Sequence, residues 1–382
     1  MKKSLYTTTA LAAASVLAFG ATDAVAAEKA KKMSIGVSGF MKSLVGFAQQ
    51  DGAFESTTSG TSRVHYDSFN VMNDSEVYFR GSTKLDSGVT ASVIIQLETD
   101  ANVINRGGNT DNIDESYLKL TGGFGDVRIG STKAASFVLK NTSPLPGAIQ
   151  IENPDTNDWV IRPSALSTVG TASHIGGADA MKIVYISPVM GGFRVGGSYT
   201  PSNTNSDLMP SVGGNSGTQS QTFDVVAQYK AKLGSTNVGA DVSYWETHGT
   251  AAASLKAWRI GAQLGFGAVT VGGGYKKQEN LDSVTSLSGA PTNEATVYTA
   301  GVQYAAGPVK VGLAWVNEVK PMTKATAGDD EGTKIALGGS VQLGTGVNFV
   351  GTLVHVDWDD EATTKGNNND GWALVGGIKV DF

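Results

Sequence analysis

Three acidic residues, Glu152, Asp155 and Asp158, lie close together near the middle of the chain, beside Trp159 and Arg162. Carboxylates grouped in this way attract cations and set the electrostatic field of any confined space around them. They belong to a stretch of roughly fifty residues, 131–180, that shows no sustained helix or strand period. A segment of this length without secondary structure is a sign of function when it lies inside a compact domain. The position of these carboxylates in the fold therefore depends on the secondary-structure elements on either side of the stretch.

Alternating sequence patterns surround this stretch, with one at 125–131 before it and another at 181–187 after it. In a third pattern, Val93 and Ile95 fall on one face of an extended chain and Ser92 falls on the other. A period of two residues indicates β-strands with one apolar and one polar face. Sixteen strands are predicted, at 33–49, 76–84, 89–99, 115–121, 126–130, 181–187, 192–200, 222–231, 236–246, 254–266, 268–277, 295–305, 309–318, 333–343, 347–356 and 372–382.

Short turns and long polar loops alternate between the predicted strands, so all short turns fall at one end of the sheet. This is the layout of a transmembrane up-and-down β-barrel. Lipid cannot hydrogen-bond an open strand edge, so the sheet must close, and sixteen strands leave an aqueous channel. The predicted fold is therefore all-β, a closed antiparallel transmembrane β-barrel of 16 strands. The stretch 131–180 is its third long loop, and the lumen is the place where such a loop can fold inward.

The composition excludes several classes of protein. The body of the chain has no apolar run of eighteen residues, which excludes a helical membrane protein. The chain has no cysteine, so it has neither a disulfide framework nor thiol chemistry. A net charge of −6 argues against a nucleic-acid partner, which would require a basic surface.

The N-terminus has the three parts of a secretory signal peptide. Lys2 and Lys3 form a basic start, residues 9–19 form a short apolar segment, and Ala24-Val25-Ala26 is a cleavage site. We expect residues 1–26 to be removed, leaving 27–382 as a single barrel domain beyond the bacterial inner membrane. Two lysines and one aspartate leave with the peptide, so the mature net charge becomes −7, one unit more negative than −6.

Several weak motifs together resemble Gram-negative general diffusion porins of the alphaproteobacterial type. They are the signal peptide, the segment GFGDVRIGS at 123–131 leading into the long loop, the segment IVYISP at 183–188 with GGF at 191–193, and the terminal Phe382. The resemblance covers the whole mature chain. It implies an outer-membrane homotrimer of sixteen-stranded barrels, a third loop that forms the constriction, and a role for Phe382 in recognition by the assembly machinery. The Pro-Glu-Phe-Gly-Gly turn of enteric members is absent, and residues 143–147 read Ser-Pro-Leu-Pro-Gly instead.

The candidate site is an electrostatic field across the pore rather than a catalytic centre. Glu152, Asp155 and Asp158 are the candidates on the constriction loop. Arg80 and Arg128 alternate with apolar neighbours and should point inward, because a charge facing lipid at mid-membrane costs about 2–4 kcal/mol. The alternative is that these charges are solvated in a wide lumen and have no selective role. The full set of basic wall candidates is Lys42, Arg80, Lys119, Arg128, Lys182 and Arg194.

The sequence thus predicts passive diffusion of ions and small hydrophilic solutes, with a weak preference for cations from the charge of −7 and the loop acids. The alternative is a structural barrel or a surface adhesin whose extracellular loops are the working part. A barrel enzyme would need a nucleophile beside His248 or His355, and none is marked there, so no enzyme and no cofactor is predicted. Acidic loops offer hard oxygen ligands for Ca²⁺, but their spacing fits no calcium loop and a solvated loop is the better interpretation. Those acidic residues are Asp329, Asp330, Glu331, Asp357, Asp359, Asp360 and Glu361.

Overall fold

A computed structural model describes residues 33–55, 58–59, 62–63, 66–99, 113–152, 154–166, 179–202, 219–249, 254–279, 294–321, 328–361, 364 and 366–382. These residues contain eighteen strands: β1 (Ser34–Gln50), β2 (Thr58–Ser59), β3 (Ser62–Arg63), β4 (Phe69–Lys84), β5 (Thr90–Glu98), β6 (Ile113–Gly122), β7 (Gly125–Ser131), β8 (Met181–Ile186), β9 (Phe193–Thr200), β10 (Gln219–Leu233), β11 (Thr236–Gly249), β12 (Leu255–Phe266), β13 (Val269–Glu279), β14 (Ala295–Ala306), β15 (Val309–Pro321), β16 (Asp329–Gly344), β17 (Val347–Asp359) and β18 (Asn369–Asp381). The predicted signal peptide, 1–26, lies outside the described residues.

All strands except β2 and β3 form one closed antiparallel barrel of sixteen strands. Each strand pairs with its neighbours in the chain, except that β4 pairs with β1, and β1 closes the barrel by pairing with β18. At the closure, Lys42 stands opposite Asp74 on one side and Lys379 on the other. The predicted fold class is therefore confirmed, including the number of strands in the barrel.

The antiparallel register separates the two faces of the barrel, because residues directly opposite each other on paired strands share a face. Ile35, Phe47 and Leu374 are 73%, 60% and 59% exposed and lie on the outer face. Aromatic rings of neighbouring strands contact each other near the loop end of the outer face, and the Trp258 and Tyr275 rings have centroids 5.0 Å apart with their planes tilted by 60°. Aromatic belts of this kind mark the membrane interfaces of outer-membrane barrels.

The residues that the structure describes include three short helices: Gly52–Glu55, Ala135–Leu139 and the 3₁₀ helix Pro154–Asp158. No helix within the described ranges has both the length and the apolar character needed to cross a membrane. The last two helices belong to the long loop between β7 and β8.

Several strands extend further toward the long-loop end than the alternation predicts. β4 begins at Phe69 instead of 76, and β16 begins at Asp329 instead of 333. Above the membrane both faces of a strand meet water, so the apolar alternation stops although the ladder of hydrogen bonds continues. Acidic residues that the sequence assigned to loops are therefore on strands: Asp329, Asp330 and Glu331 on β16, and Asp357 and Asp359 on β17.

Candidate functional site

The long loop lies inside the barrel and follows its inner wall. Its backbone N–H groups donate to inward-facing side chains on β10, β11, β17 and β1, which fixes its path along the wall. The bonds are Ser136 N to Asp224 Oδ2 at 2.8 Å on β10, Asn141 N to Asp241 Oδ1 at 2.5 Å on β11, Ala148 N to Thr352 Oγ1 at 2.9 Å on β17, and Ile161 N to Gln50 Oε1 at 2.7 Å on β1.

Glycines at inward positions let the loop backbone approach the wall closely. A Cβ on Gly261 would lie 2.6 Å from the carbonyl oxygen of Asn141, which is closer than real Cβ contacts allow. A Cβ on Gly272 or on Gly301 would lie 3.0 Å from a loop carbonyl oxygen, and one on Gly338 would overlap the carbonyl oxygen of Pro146. We name these four glycines, Gly261, Gly272, Gly301 and Gly338, the glycine track.

Apolar packing holds the second half of the loop. Ile149, Ile151, Trp159 and Val160 are buried against small apolar side chains of the inner wall. Full burial of one such side chain stabilises a protein by about 1.5–3 kcal/mol. The loop is therefore a packed part of the barrel. The wall residues in contact are Leu44, Val297, Val316, Ala336, Val354 and Val375.

A buried ion pair holds the first half of the loop. Arg259 Nη1 lies 2.5 Å from Asp241 Oδ2, and both side chains are at most 1% exposed. Asp241 also accepts from the side chain of Asn141, and Arg259 donates to the Asn141 carbonyl oxygen. The ion pair therefore binds the loop at Asn141, with one partner on β11 and the other on β12. Sequence reasoning did not select either residue, although both occupy inward positions by alternation.

Glu152 is mostly buried within the loop. It is 8% exposed and accepts hydrogen bonds from the backbone N–H of Ser143, at 2.7 Å, and from the Ser143 hydroxyl. These two hydrogen bonds hold the segment around Ser143 against the segment around Glu152 within the same loop. The loop folds back at this point and covers most of the Glu152 side chain.

Asp155 and Asp158 lie in and at the end of the 3₁₀ helix Pro154–Asp158, and both are half-buried. Asp155 Oδ2 accepts from the backbone N–H of Gln150 at 3.3 Å. Burial raises the pKa of Asp155, while the ammonium of Lys42 opposes this rise. Asp155 therefore interacts with Lys42, a basic residue of the wall.

The lumen stays open along the wall formed by β1, β4, β5 and β6. A cavity of about 510 Å³ there is lined by Arg80, Ser92, Tyr117 and Lys119, among others. The Arg80 guanidinium stacks on the Tyr78 ring at 4.3 Å and donates to Ser38 at 3.0 Å. We name this surface the open wall. It brings together two of the predicted wall residues.

Arg128 stands on β7 directly opposite Lys119. Its guanidinium lies 5.5 Å from the Tyr117 ring centroid, and Lys119 Nζ lies 3.4 Å from Asp126. Arg80, Lys119 and Arg128 therefore share one side of the lumen.

The other three wall candidates have different positions. Lys42 pairs with Asp74 at 2.5 Å and donates to the Ala148 carbonyl oxygen at 3.3 Å, at the edge of the loop. Arg194 donates to the Ser187 carbonyl oxygen at 3.4 Å, beside the short turn between β8 and β9.

Lys182 requires a correction, because it is 3% exposed and lies beneath the loop. Its ammonium donates to the carbonyl oxygens of Thr132 and Ala180. Lys182 therefore joins the two ends of the loop and does not form part of the pore surface.

Sequence reasoning missed an acidic cluster where the loop leaves β7. Lys133 Nζ lies 2.6 Å from Asp179 and 3.6 Å from Asp114. Glu115 accepts from Thr132 at 2.7 Å, and Gln96 bridges Asp114 to Glu76. Four carboxylates thus surround one ammonium, so the cluster is net negative. We name Glu76, Asp114, Glu115, Asp179 and Lys133 the acidic cluster.

Burial alone would lower the pKa of Lys133, but Asp179 and Asp114 outweigh burial and the pKa is raised. Lys133 therefore remains charged, and the cluster keeps a fixed cation at its centre. The sequence gives no local signal for the cluster, because its acids come from β4, from β6 and from the far end of the loop.

A second acidic group lies at the loop end of the barrel. Carboxylate oxygens of Asp330, Asp360 and Glu361 lie within 4.8 Å of one another. Asp330 is on β16, whereas Asp360 and Glu361 follow β17. Acidic groups also occur without a metal, and the spacing fits no calcium loop, so this group does not establish a calcium site.

Phe382 lies on the outer face of the barrel, where β1 and β18 pair and close the sheet. Its backbone N–H donates to the Gly39 carbonyl oxygen at 3.0 Å, and its own carbonyl oxygen accepts from Gly39 at 2.8 Å. A Cβ on Gly39 would lie 3.0 Å from the Phe382 ring. The terminal aromatic residue therefore lies over the seam between β1 and β18.

Known proteins share this architecture. The model of a family described as Gram-negative porin matches residues 7–361. A porin structure refined at 1.8 Å resolution has a TM-score of 0.59 at 20% identity and covers 91% of this chain and 100% of its own. An anion-selective porin from Comamonas acidovorans has a TM-score of 0.60 at 18% identity and covers 92% of this chain and 100% of its own. The in-vitro folded trimer form of OmpT, an outer-membrane protein of Vibrio cholerae, has a TM-score of 0.58 at 11% identity, with 92% and 100% covered.

A comparison with curated proteins finds no match. The structural neighbours are too distant in sequence to show more than the fold, whereas the family model matches most of the chain. The closed barrel, its apolar outer face and the loop in its lumen are the features of a water-filled transmembrane channel. The chain belongs to the Gram-negative porin family and is therefore an outer-membrane diffusion channel, not an enzyme.

Proposed function

We propose that the channel passes ions and small hydrophilic solutes with a weak preference for cations. The observation that carries this proposal is the acidic cluster, which lies where the loop enters the lumen and surrounds one ammonium with four carboxylates. A net negative group beside a narrow aqueous path raises the local concentration of cations.

The charges along the open wall are separated by sign. On β4 the inward residues Asp74 and Glu76 are nearer the loop end, and Arg80 and Lys84 are nearer the short-turn end. Asp155 adds a further acid beside Lys42. A solute entering from the loop end therefore meets carboxylates before it meets guanidinium groups, which favours entry of cations. The basic residues below them explain why the preference is weak.

The zero-current potential of the purified protein in a planar bilayer under a KCl gradient tests this proposal. The wild type should show K⁺ preference, and Asp114→Asn with Asp179→Asn should reduce it. Asp329→Asn with Glu331→Gln is the matched control, because it removes two exposed acids on β16 that point away from the lumen. Cl⁻ preference in the wild type, or equal loss in both double variants, would contradict the proposal.

We further propose that the channel is a homotrimer. Ser43 and Asn73 lie on the outer face and are joined by a hydrogen bond of 2.8 Å. Polar side chains on that face are costly against hydrocarbon, and a neighbouring subunit would cover them. Light scattering in detergent gives the mass of the complex. A trimeric mass that falls in Ser43→Leu with Asn73→Leu supports this proposal, and a monomeric wild type contradicts it.

We propose that residues 1–26 are a cleaved signal peptide and that Phe382 is an assembly signal. The contact of Phe382 with Gly39 across the barrel seam supports a role in closing the sheet. Mass spectrometry of the mature protein tests the first proposal, which requires a chain that begins at Ala27. Any other first residue contradicts that cleavage site.

A further inference from the structure

A pocket of about 280 Å³ is formed by the loop itself. Its lining includes Phe137, Lys140, Thr142, Leu145, Ile151 and Glu152. Contacts with the wall are made by other loop residues, such as Ser136 and Asn141, whereas Phe137 and Lys140 remain half-buried. The pocket therefore opens on the side of the loop that faces away from the wall, toward the lumen.

Lys140 is the basic group of this pocket. Its ammonium lies 3.2 Å from the centroid of the Phe137 ring, and it forms no salt bridge with any carboxylate in the described part of the chain. A desolvated ammonium without an anionic partner is unfavourable. An anion that enters the pocket would remove this cost and gain charge-assisted hydrogen bonds.

The charged groups around Lys140 do not replace such a partner. Burial lowers the pKa of Lys140 to about 7; Glu152 and Asp241 act to raise it, and Arg259 and Lys133 act to lower it further. Glu152 is already engaged by Ser143 and Asp241 by Arg259. The side-chain amine of Lys140 therefore changes between its charged and neutral forms near neutral pH.

The remaining walls restrict the ligand. Phe137 and Leu145 offer apolar surface, which favours a ligand with an apolar group over a hydrated inorganic anion. The Glu152 carboxylate lines the same pocket and would repel a second negative charge. We infer that this loop pocket binds small monocarboxylates that carry an apolar group, with the carboxylate on Lys140 and the apolar group against Phe137. The inference rests on the proposed diffusion of small solutes, and it adds one solute class that is retained on its way through.

Single-channel recording with phenylacetate as the probe tests the inference. Phenylacetate should interrupt the KCl current of the wild type in a saturable way. Phenylacetamide lacks the charge and phenylmalonate carries a second one, so both should interrupt it far less. Equal interruption by phenylacetate and phenylacetamide would overturn the inference.

Two variants locate the effect. Lys140→Met should weaken apparent phenylacetate affinity about tenfold, the size expected for one charge-assisted contact. Lys84→Met is the matched control, because it removes a lysine at the short-turn end of β4 that does not line the pocket, and it should leave the affinity unchanged. Unchanged affinity in Lys140→Met, or equal loss in both variants, would overturn the inference.

The pH dependence gives a second readout. A carboxylic acid with an ordinary pKa of roughly 4 stays ionised above pH 6. Of the two partners in the proposed contact, it is therefore Lys140 that changes charge as the pH rises through about 7. Interruption of the wild-type current should weaken between pH 6 and pH 8, and Lys140→Met should show no such change. An unchanged wild-type affinity over this range would contradict the assignment of the carboxylate to Lys140.

The same recordings separate this inference from the proposed function. K⁺ preference without interruption by phenylacetate rejects the pocket and keeps the cation-preferring channel. Interruption that depends on Lys140, together with Cl⁻ preference, keeps the pocket and rejects the proposed ion preference.

Discussion

Asp241 and Arg259 form a buried ion pair, 2.5 Å apart, that binds the lumen loop at Asn141. The two residues come from neighbouring strands, so the loop, β11 and β12 meet at one point. Because both charges are buried, loss of either partner would leave the other as an uncompensated buried charge. This pair converts a long loop into a fixed part of the pore.

Removal of one partner should loosen the loop. Asp241→Asn leaves the Arg259 guanidinium buried without its carboxylate, which costs about 3–5 kcal/mol in comparable pairs. We expect a lower melting temperature and a noisier single-channel current. Asp241→Asn combined with Arg259→Met removes both charges and should recover part of the loss. A double variant that is no more stable than Asp241→Asn would contradict the role of the pair.

The glycine track should tolerate no side chain. In Gly338→Ala the new Cβ overlaps the Pro146 carbonyl oxygen, so the loop must move away from the wall and into the lumen. Single-channel conductance should therefore fall. Gly339→Ala is the control, because its Cβ would meet only the Lys310 carbonyl oxygen at 3.4 Å. Equal conductance in the two variants would show that the loop does not follow this path.

Lys140 should make stability depend on pH. Its pKa falls from 10.5 to about 7 in the folded protein, mainly through burial. The unfolded chain therefore takes up the proton first, and stability is lost as the pH falls from 10.5 toward 7. Lys140→Met should raise the melting temperature at pH 7 more than at pH 10. A shift of the same size at both pH values would contradict this assignment.

Loss of Phe382 should impair assembly. Deletion of Phe382 removes its two backbone hydrogen bonds with Gly39 and the ring that covers the seam. We expect less folded barrel in the outer membrane, measured by heat-modifiable migration on gels. Phe382→Tyr keeps the backbone and the ring and should assemble normally. Normal assembly of the deletion variant would contradict the proposed signal.

The barrel was predictable from the sequence because its strands meet lipid on one face and water or the loop on the other. On β5, for example, the apolar residues Val93 and Ile95 recur every second position and therefore share the lipid-facing side of the strand. The strand ends were not predictable, since Asp329 and Glu331 lie where water covers both faces.

The interior of the pore was harder to predict for a different reason. Alternation shows that Lys182 points inward, but only the path of the loop shows that it is covered. The position of Glu152 was unpredictable for the same reason, because its hydrogen-bond partner Ser143 belongs to the loop and only the folded loop brings the two together. The available signal was the series of inward glycines such as Gly272 and Gly301, whose missing side chains make room for another segment.

The loop covers one part of the lumen wall and leaves the open wall accessible. The chain has no native cysteine, so single cysteines report accessibility without interference. Ser92→Cys lies on the open wall, and Ser243→Cys lies at an inward position that is 3% exposed. A charged methanethiosulfonate reagent should reduce the current of Ser92→Cys and leave that of Ser243→Cys unchanged. Rapid reaction of Ser243→Cys, or no reaction of Ser92→Cys, would contradict this arrangement.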